Sequence, residues 1–283
     1  MTEIKKKEYQ PTRVDINDES LTRHITNISL HDRPSRRDTC QGDLKMAIRT
    51  KIWDLMEKRN FVKDYPRPCH NKIPNFKRCG MAATKLSRLR EFKKAKCVKI
   101  NPSLAQMHLR FLTLQHGKTL YVPSPSLSED FMYEVDPKLL KRFWQLKRAS
   151  SKAGSKELGR AITTQEKIKI DLFVVASVAC SPNGVRLGKG MGYAEMEWAV
   201  LYTMGAVSKD TTVVTTVHDC QVLSEKELST SLLETHDLPV DIIVTPTRII
   251  NVRQKLRKPI TGVLWDLVRE EQLENMPVLK ELV

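Results

Sequence analysis

Three short stretches rich in β-branched residues, IDLFVVASVAC (170–180), TTVVTTVHDCQV (211–222) and DIIVTP (241–246), alternate with segments patterned as helices. Strands whose apolar residues run on without alternation are covered on both faces, and such strands belong to parallel sheets. Parallel neighbours need a crossover between them, usually a helix, and the intervening segments supply it. The pattern predicts an α/β domain with a largely parallel central sheet flanked by helices. At 283 residues the chain is long enough to bury the core that such a sheet requires.

Upstream, residues 1–40 carry mixed charge and little periodicity. They are expected to form a disordered tail, leaving 41–283 as one domain. From Asp43, a candidate N-cap, Leu44, Ile48, Ile52, Leu55 and Met56 recur at helical spacing, which predicts a helix to about residue 60. Pro66, Pro68 and Pro74 make the next stretch loop. Further helices are expected at 83–96, 136–150, 193–207 and 224–236, with a short one near the end of the chain. LRFLTLQ (109–115) and KTLYVPS (118–124) are expected as strands around a His116-Gly117 turn, and GVLWDLV (262–268) as a last strand.

The formal net charge of +15 is concentrated: residues 41–100 carry 17 basic and five acidic side chains, whereas 171–283 carry 11 and 15. A localised positive field attracts polyanions, a nucleotide or RNA; the bland counterpart is a solvated face. RNA would use segments such as KLSRLREFKKAKCVK (85–99), where Phe92 is the one stacking aromatic. No RNP-type sequence of an RNA recognition motif is present. Six cysteines without C-x-x-C or zinc spacing read as free thiols in a reducing compartment, the cytoplasm or the nucleus. No apolar stretch reaches the roughly 18 residues that cross a bilayer, and the first residues lack the apolar core of a secretory signal, so no membrane partner is expected.

Directly behind the first of the three strands lies GVRLGKGMGYAE (184–195), with glycines at 184, 188, 190 and 192. Ligands of open α/β sheets bind beyond the carboxyl ends of the strands, where loops lead into helices. Glycines let backbone approach a ligand closely, the following helix offers free N–H groups, and Arg186 and Lys189 add charge at the same point. The loop is expected to cradle phosphate; the alternative is a tight strand-to-helix turn without a ligand. It fits neither the Rossmann nor the Walker spacing. Lys45 and Arg49, at i and i+4 on the first helix, can converge on one anion or remain surface cations flanking the apolar stripe.

His218, Asp219 and Cys220 end the second strand. Neighbours on a strand point to opposite faces, so a crevice-side position is expected for them rather than a nucleophilic dyad. Trp198 and Tyr202 are expected to pack the helix after the loop. Thr245, Thr247 and Arg248 follow the third strand, facing a ligand or forming an ordinary turn about Pro246.

Lys45-x-x-x-Arg49, Gly184-x-Arg186-Leu187-Gly188-Lys189-Gly190-x-Gly192-Tyr193 and His236-Asp237 before VDIIVTP together resemble the 5-formyltetrahydrofolate cyclo-ligase family, whose members are also called methenyltetrahydrofolate synthetases. The resemblance spans most of 43–283. It implies the cyclo-ligase type of α/β fold, related to sugar-phosphate isomerases and CoA-transferases. It also implies ATP- and Mg²⁺-dependent ring closure of 5-formyltetrahydrofolate. It assigns Lys45, Arg49, Arg186, Lys189 and glycines 188, 190 and 192 to ATP phosphates, Tyr193 to the nucleotide and folate side, and Glu195 and Asp237 to the metal. Several positions depart from the family pattern. Met191 replaces the middle of three glycines, Ala194 a second tyrosine, and Glu195 an aspartate. IPNFKRC (73–79) stands where a folate-side Glu is expected. The resemblance therefore carries nucleotide binding further than folate turnover. A non-catalytic protein that binds nucleotide or RNA is the alternative.

Overall fold

The computed structural model describes residues 36–282, apart from 64, 128–129 and 269. The expected tail lies outside the described residues as far as 35. Contacts divide the chain into two units, Met1–Gln41 and Gly42–Val283, and every strand belongs to the second.

The elements in chain order are α1 (Arg36–Lys58), α2 (Cys79–Ser87), α3 (Arg90–Lys94), β1 (Cys97–Ile100), α4 (Met107–Gln115), β2 (Thr119–Pro123) and β3 (Met132–Val135). Next come α5 (Phe143–Ala149), α6 (Lys152–Leu158), β4 (Arg160–Ile162), β5 (Leu172–Ala176), β6 (Ala179–Cys180), β7 (Arg186–Leu187) and α7 (Tyr193–Thr203). The chain continues through β8 (Thr212–Thr216), β9 (Ile242–Val244), β10 (Ile249–Asn251), α8 (Glu270–Asn275) and α9 (Pro277–Lys280). Eight strands form one sheet in the order β10-β9-β8-β5-β1-β2-β3-β4. The inner five, β9 to β2, pair in parallel, and β10, β3 and β4 are antiparallel additions at the edges.

The register explains the unbroken apolar runs. All five residues of β5 are buried, and they alternate between two cores. Leu172 and Val174 join one core with Ile52 and Trp53 of α1 and Leu86 of α2; Phe173 and Val175 join the other with Trp198 and Leu201 of α7 and Leu279 of α9. Val174 lies between Ile100 and Val214. Leu172 to Val175 of β5 thus each meet a core on one face or the other, the two-sided burial expected of a parallel sheet. The chain is therefore α/β, with a largely parallel sheet flanked by helices. Among the described residues no helix is long and apolar enough to cross a membrane.

Local expectations fail where tertiary contacts override pattern. Asp43 is not an N-cap, because α1 is already helical from Arg36. Gly42 within it costs only about 1 kcal/mol, less than packing returns. Residues 109–115 are helix, not strand: Leu109, Arg110, Thr113 and Leu114 are buried at helical spacing, and Thr113 Oγ1 donates to Leu109 O at 2.9 Å. The basic helix expected at 83–96 is two, because Leu89 is extended between α2 and α3. The 136–150 segment opens on a 3-10 turn and becomes α-helical only at Phe143. The helix expected at 193–207 ends at Thr203. Residues 224–236 hold only a 3-10 turn at Thr230–Leu232, where Ser229 caps its own following backbone. Residues 262–268 contain a 3-10 turn, Trp265–Leu267, and no strand, since β10 already takes the place beside β9.

Trp198 joins sheet, helix and the C-terminal segment. It is fully buried, edge-on to Phe173 at 5.3 Å, and its Nε1 donates to Pro259 O at 2.8 Å. Replacing it with Ala removes the ring and orphans that carbonyl. The expected cost is about 3–5 kcal/mol, read as a lowered urea midpoint; an unchanged midpoint contradicts this packing.

Candidate functional site

The buried stripe of α1 is not the one that its apolar residues suggest. Leu44 is 49% exposed, whereas Lys45 is 5% exposed and Arg49 8%. Lys45, Arg49, Ile52 and Met56 fall at i, i+4, i+7 and i+11, one continuous face. Its first half is cationic and its second half apolar. Buried cations demand partners, and both find them far along the chain. Lys45 Nζ pairs with Asp237 Oδ2 at 2.6 Å and with Glu234 Oε2. Arg49 Nε donates to Gly188 O at 2.8 Å. Burial pushes the Arg49 pKa down, Glu195 and Asp237 pull it up, and neighbouring Arg186 lowers it again.

The glycine-rich stretch is two structures. Gly184 (φ +93°) closes the turn between β6 and β7, where Val240 O would lie 2.8 Å from a Cβ; it stands apart from the other three glycines. Residues 188–192 form the loop proper. A Cβ on Gly188 would sit 3.0 Å from Arg186 Nη1. One on Gly190, at φ +97°, would sit 3.4 Å from Arg49 Cζ. Both guanidinium groups are therefore pressed against the loop backbone. Gly192, at φ +68°, caps α7 in a left-handed conformation.

Arg186 is buried and spends its donors on the protein: Ala176 O at 2.9 Å, Leu238 O at 3.2 Å, and Glu195. Glu195 lies in the first turn of α7, where the helix dipole favours a carboxylate. The Lys189 ammonium lies over the Tyr193 ring, 4.8 Å from its centroid. Lys45, Arg49, Arg186 and the loop are thus brought together, while Glu195 and Asp237 are taken by different cations. Instead Glu234, His236 and Asp237 place one ligand atom each within 4.8 Å of one another.

A layer beneath this cluster is one that sequence reasoning misses. Lys99 of β1 is fully buried, paired with Glu197 of α7, and sits 3.9 Å from the Phe173 ring centroid. Burial lowers the Lys99 pKa, and Glu197 opposes it. Asn101 Nδ2 donates to Glu197 Oε2 at 2.9 Å, and its Oδ1 accepts from Ala176 N at 3.1 Å. Ala176 is the residue whose carbonyl holds Arg186, so the deep pair and the loop cluster share one frame. The signal available is a single Lys inside the apolar strand CVKI.

Around β8 the chain turns into a 3-10 turn, Asp219–Gln221, so strand alternation does not govern His218 and Cys220. His218 Nδ1 lies 3.2 Å from Cys220 Sγ. Burial raises that thiol to about 11 and lowers the imidazole, so the contact is between neutral groups. Phe61 stacks on His218 at 4.4 Å and Phe76, from the acid-free 73–79 segment, meets it edge-on at 6.3 Å. Thr245 Oγ1 donates to Asp219 at 2.5 Å, Thr247 Oγ1 also donates to it, and Arg248 Nε stands 4.0 Å away. These residues form a braced turn. Phe92, the aromatic of basic segment 85–99, is buried and offers no face for stacking. The described thiols, Cys69, Cys79, Cys97, Cys180 and Cys220, are free.

A model of the 5-formyltetrahydrofolate cyclo-ligase family matches residues 41–246. Methenyltetrahydrofolate synthase domain-containing proteins of Bos taurus, Mus musculus and Homo sapiens are 43%, 42% and 40% identical to this chain. The matches cover 85%, 87% and 85% of the chain but 62%, 64% and 62% of the relatives, so it spans less than two thirds of their length. Among solved structures, a 5,10-methenyltetrahydrofolate synthetase of Aquifex aeolicus is 22% identical, covering 75% of this chain and 95% of that one, with a TM-score of 0.46. One of Mycoplasma pneumoniae is 13% identical, covering 74% and 99%, with a TM-score of 0.41.

Two measurements check this electrostatic frame. Glu197→Gln strands the Lys99 charge and is expected to cost about 3–5 kcal/mol, whereas Lys99→Met with Glu197→Leu recovers most of it; equal unfolding midpoints for single and double variants contradict the pairing. Burial pushes the Asp219 carboxyl up, yet the Thr245 and Thr247 hydroxyls win and hold it below its ordinary 3.8. Its stabilisation is then complete above 3.8 and fades as pH falls through the lower folded value. The stability gap between wild type and Asp219→Asn should hold from neutral pH down to about pH 4 and close below it; a gap that widens in acid reverses the sign.

Proposed function

The chain belongs to the 5-formyltetrahydrofolate cyclo-ligase family, and from that premise we propose that its glycine loop holds a magnesium nucleotide, ATP as in the family, beside a reduced folate. The observation that carries this reading is that Arg186 and Arg49 press on the loop at 188–192 with Lys45 one turn away on α1, Lys45 and Arg186 being paired with carboxylates and Arg49 with the Gly188 carbonyl.

The pairing itself favours a magnesium nucleotide over a bare anion or a bare cation. Lys45 is held by Glu234 and Asp237. An anion drawing Lys45 away leaves two carboxylates unpaired; a cation taking those carboxylates leaves Lys45 unpaired. Separating one partner of a buried pair costs about 3–5 kcal/mol. A magnesium nucleotide supplies phosphate negative charge and a divalent cation together, so both halves of the pair are answered at once.

The residues present suit that ligand. Glu234 and Asp237 would hold the metal with carboxylate oxygens, the donors magnesium prefers, and their ligand atoms already lie close together. Lys45 and Arg49 would hold phosphate oxygens against the loop, where the glycines leave no Cβ between guanidinium and backbone. Arg186 stays braced by Glu195 and positions the loop. Lys189 would leave the Tyr193 ring for the phosphate. In a reaction of the family's kind these cations offset charge developing on the transferred phosphoryl group. The free thiols suit a reducing compartment, cytoplasm or nucleus.

Calorimetric titration tests this. ATP with Mg²⁺ is expected to bind about tenfold or more tightly than ATP with a chelator, and Arg49→Met to weaken it by about tenfold or more. Identical affinities with and without Mg²⁺ sink the exchange of partners. Methenyl absorbance on mixing protein, Mg-ATP and 5-formyltetrahydrofolate establishes turnover; nucleotide binding without it leaves a non-catalytic member of the family.

A further inference from the structure

A face distinct from the glycine loop groups exposed apolar side chains with unopposed positive charge. It is formed by α5 and the 3-10 turn before it, Pro137–Leu139, which stand between β3 and the edge strand β4, whereas the loop follows β5 near the middle of the sheet. Within six consecutive residues Leu139 is 72% exposed, Phe143 55% and Trp144 57%. Phe111 of α4 meets Phe143 edge-on at 5.6 Å, and Met107, one turn earlier on α4, is exposed as well, so the apolar area crosses from one helix to the other. Cations surround it. Residues 137–148 hold Lys138, Lys141, Arg142, Lys147 and Arg148, all exposed, and no acid. Among the described residues, Arg148 alone of these five has an acidic partner, Glu157 at 2.6 Å.

The face is braced from behind. Lys138 N donates to Asp136 Oδ1 at 2.9 Å, Arg142 N to Gln145 Oε1 at 2.9 Å, and the buried Arg110 Nε to Ser150 O at 2.7 Å. Leu140 and Leu146 pack against the core beneath. None of these bonds uses the outward side chains. Apolar groups gathered on a braced, exposed face mark an interaction site.

Charge and shape select the partner. A second copy brings like charge onto like charge and is repelled. Stacked bases need open ring faces, but Lys147 Nζ lies over the Phe143 ring, 5.0 Å from its centroid, and Leu139, the most exposed of the three, has no ring. A bilayer surface needs neither ring faces nor a matching groove. Aliphatic and aromatic side chains enter the headgroup boundary, Trp is favoured there, and Lys and Arg reach anionic headgroups along apolar stems. Lying on a bilayer requires no helix that crosses it. We propose that this face docks on an anionic lipid surface, with Leu139, Phe143 and Trp144 entering the headgroup region and the lysines and Arg142 around them meeting lipid negative charge. Docking there is independent of any ligand at the glycine loop.

Cosedimentation of the whole chain with vesicles tests this, comparing phosphatidylcholine alone with phosphatidylcholine and phosphatidylserine mixed. Partition onto the mixed vesicles is expected to be about tenfold or more stronger. Leu139→Asp with Trp144→Asp, and separately Lys141→Glu with Arg142→Glu, should each lose about tenfold or more of it, with circular dichroism melts checking that these exposed substitutions leave the fold intact. Fluorescence gives a readout that needs no disruptive variant. Trp53 and Trp198 are already buried, so the wild-type emission should move to the blue on mixed vesicles through Trp144, and Trp144→Phe should keep most of the partition while losing the shift. Equal partition onto both vesicle types, no partition at all, double variants that partition like wild type, or a shift that survives Trp144→Phe overturns the proposal. So does a single-stranded oligonucleotide that binds through Leu139, Lys141, Arg142 and Trp144 while vesicles do not, which makes the face a nucleic-acid surface instead.

Discussion

A buried charge must be answered, and this requirement organises the domain around its glycine loop. Lys45 and Arg49 enter the protein on the inner face of α1, ahead of the apolar residues that continue the same stripe. Their partners, Glu234, Asp237 and the carbonyl of Gly188, lie well over one hundred positions away in sequence. Folding is thereby tied to one arrangement of α1, the loop and the 234–237 turn, because any slip leaves a buried cation without its partner. Hydrophobic burial of β5 and α7 supplies the driving force, but it is indifferent to which neighbour fills a gap. The ion pairs are specific.

Much of the fold is legible in the sequence because two-sided burial leaves a plain trace. The runs at 172–176, 212–216 and 242–244 are apolar or β-branched throughout, and each is a parallel strand. The elements that differ from expectation are those whose neighbours decide. LRFLTLQ alternates well enough for a strand, yet α2 and the sheet accept it as a helix through Leu109 and Leu114. SEKELSTSLLETH has helical composition, but its Ser224 and Ser229 hydroxyls accept from local backbone, and the acid at 234 is held by Lys45 instead of by a helical neighbour.

The site is legible in its cations and not in its pairings. Lys45, Arg49, Arg186 and the loop glycines are visible from spacing. The stripe on α1 is offset by one residue from the apolar pattern: the pattern points Leu44 inward, whereas the structure buries Lys45 and leaves Leu44 exposed. That is the natural error when a charge is the buried member. Lys99 and Glu197 leave almost no trace, because a buried ion pair reads in sequence as two unrelated charges. Gly184 reads in sequence with the other glycines, though its left-handed turn belongs to the β6–β7 hairpin.

Glu195 shows how one substitution in a motif redistributes roles. It stands where the family resemblance puts a metal-binding aspartate, and its longer side chain is committed to Arg186. Arg186 in turn grips Ala176 O at the end of β5 and Leu238 O beyond the 234–237 turn. One carboxylate therefore fixes the relation between the sheet, the hairpin and the acidic turn. A group with that duty cannot turn to an ion without loosening the frame that presents the loop. In the function proposed above, the oxygen donors that would change partners are Glu234 and Asp237, whose counter-charge, Lys45, belongs to a flexible side chain that would follow the phosphate. On that proposal bracing and exchange are divided between two acid sets, and the division follows from which cation each set faces.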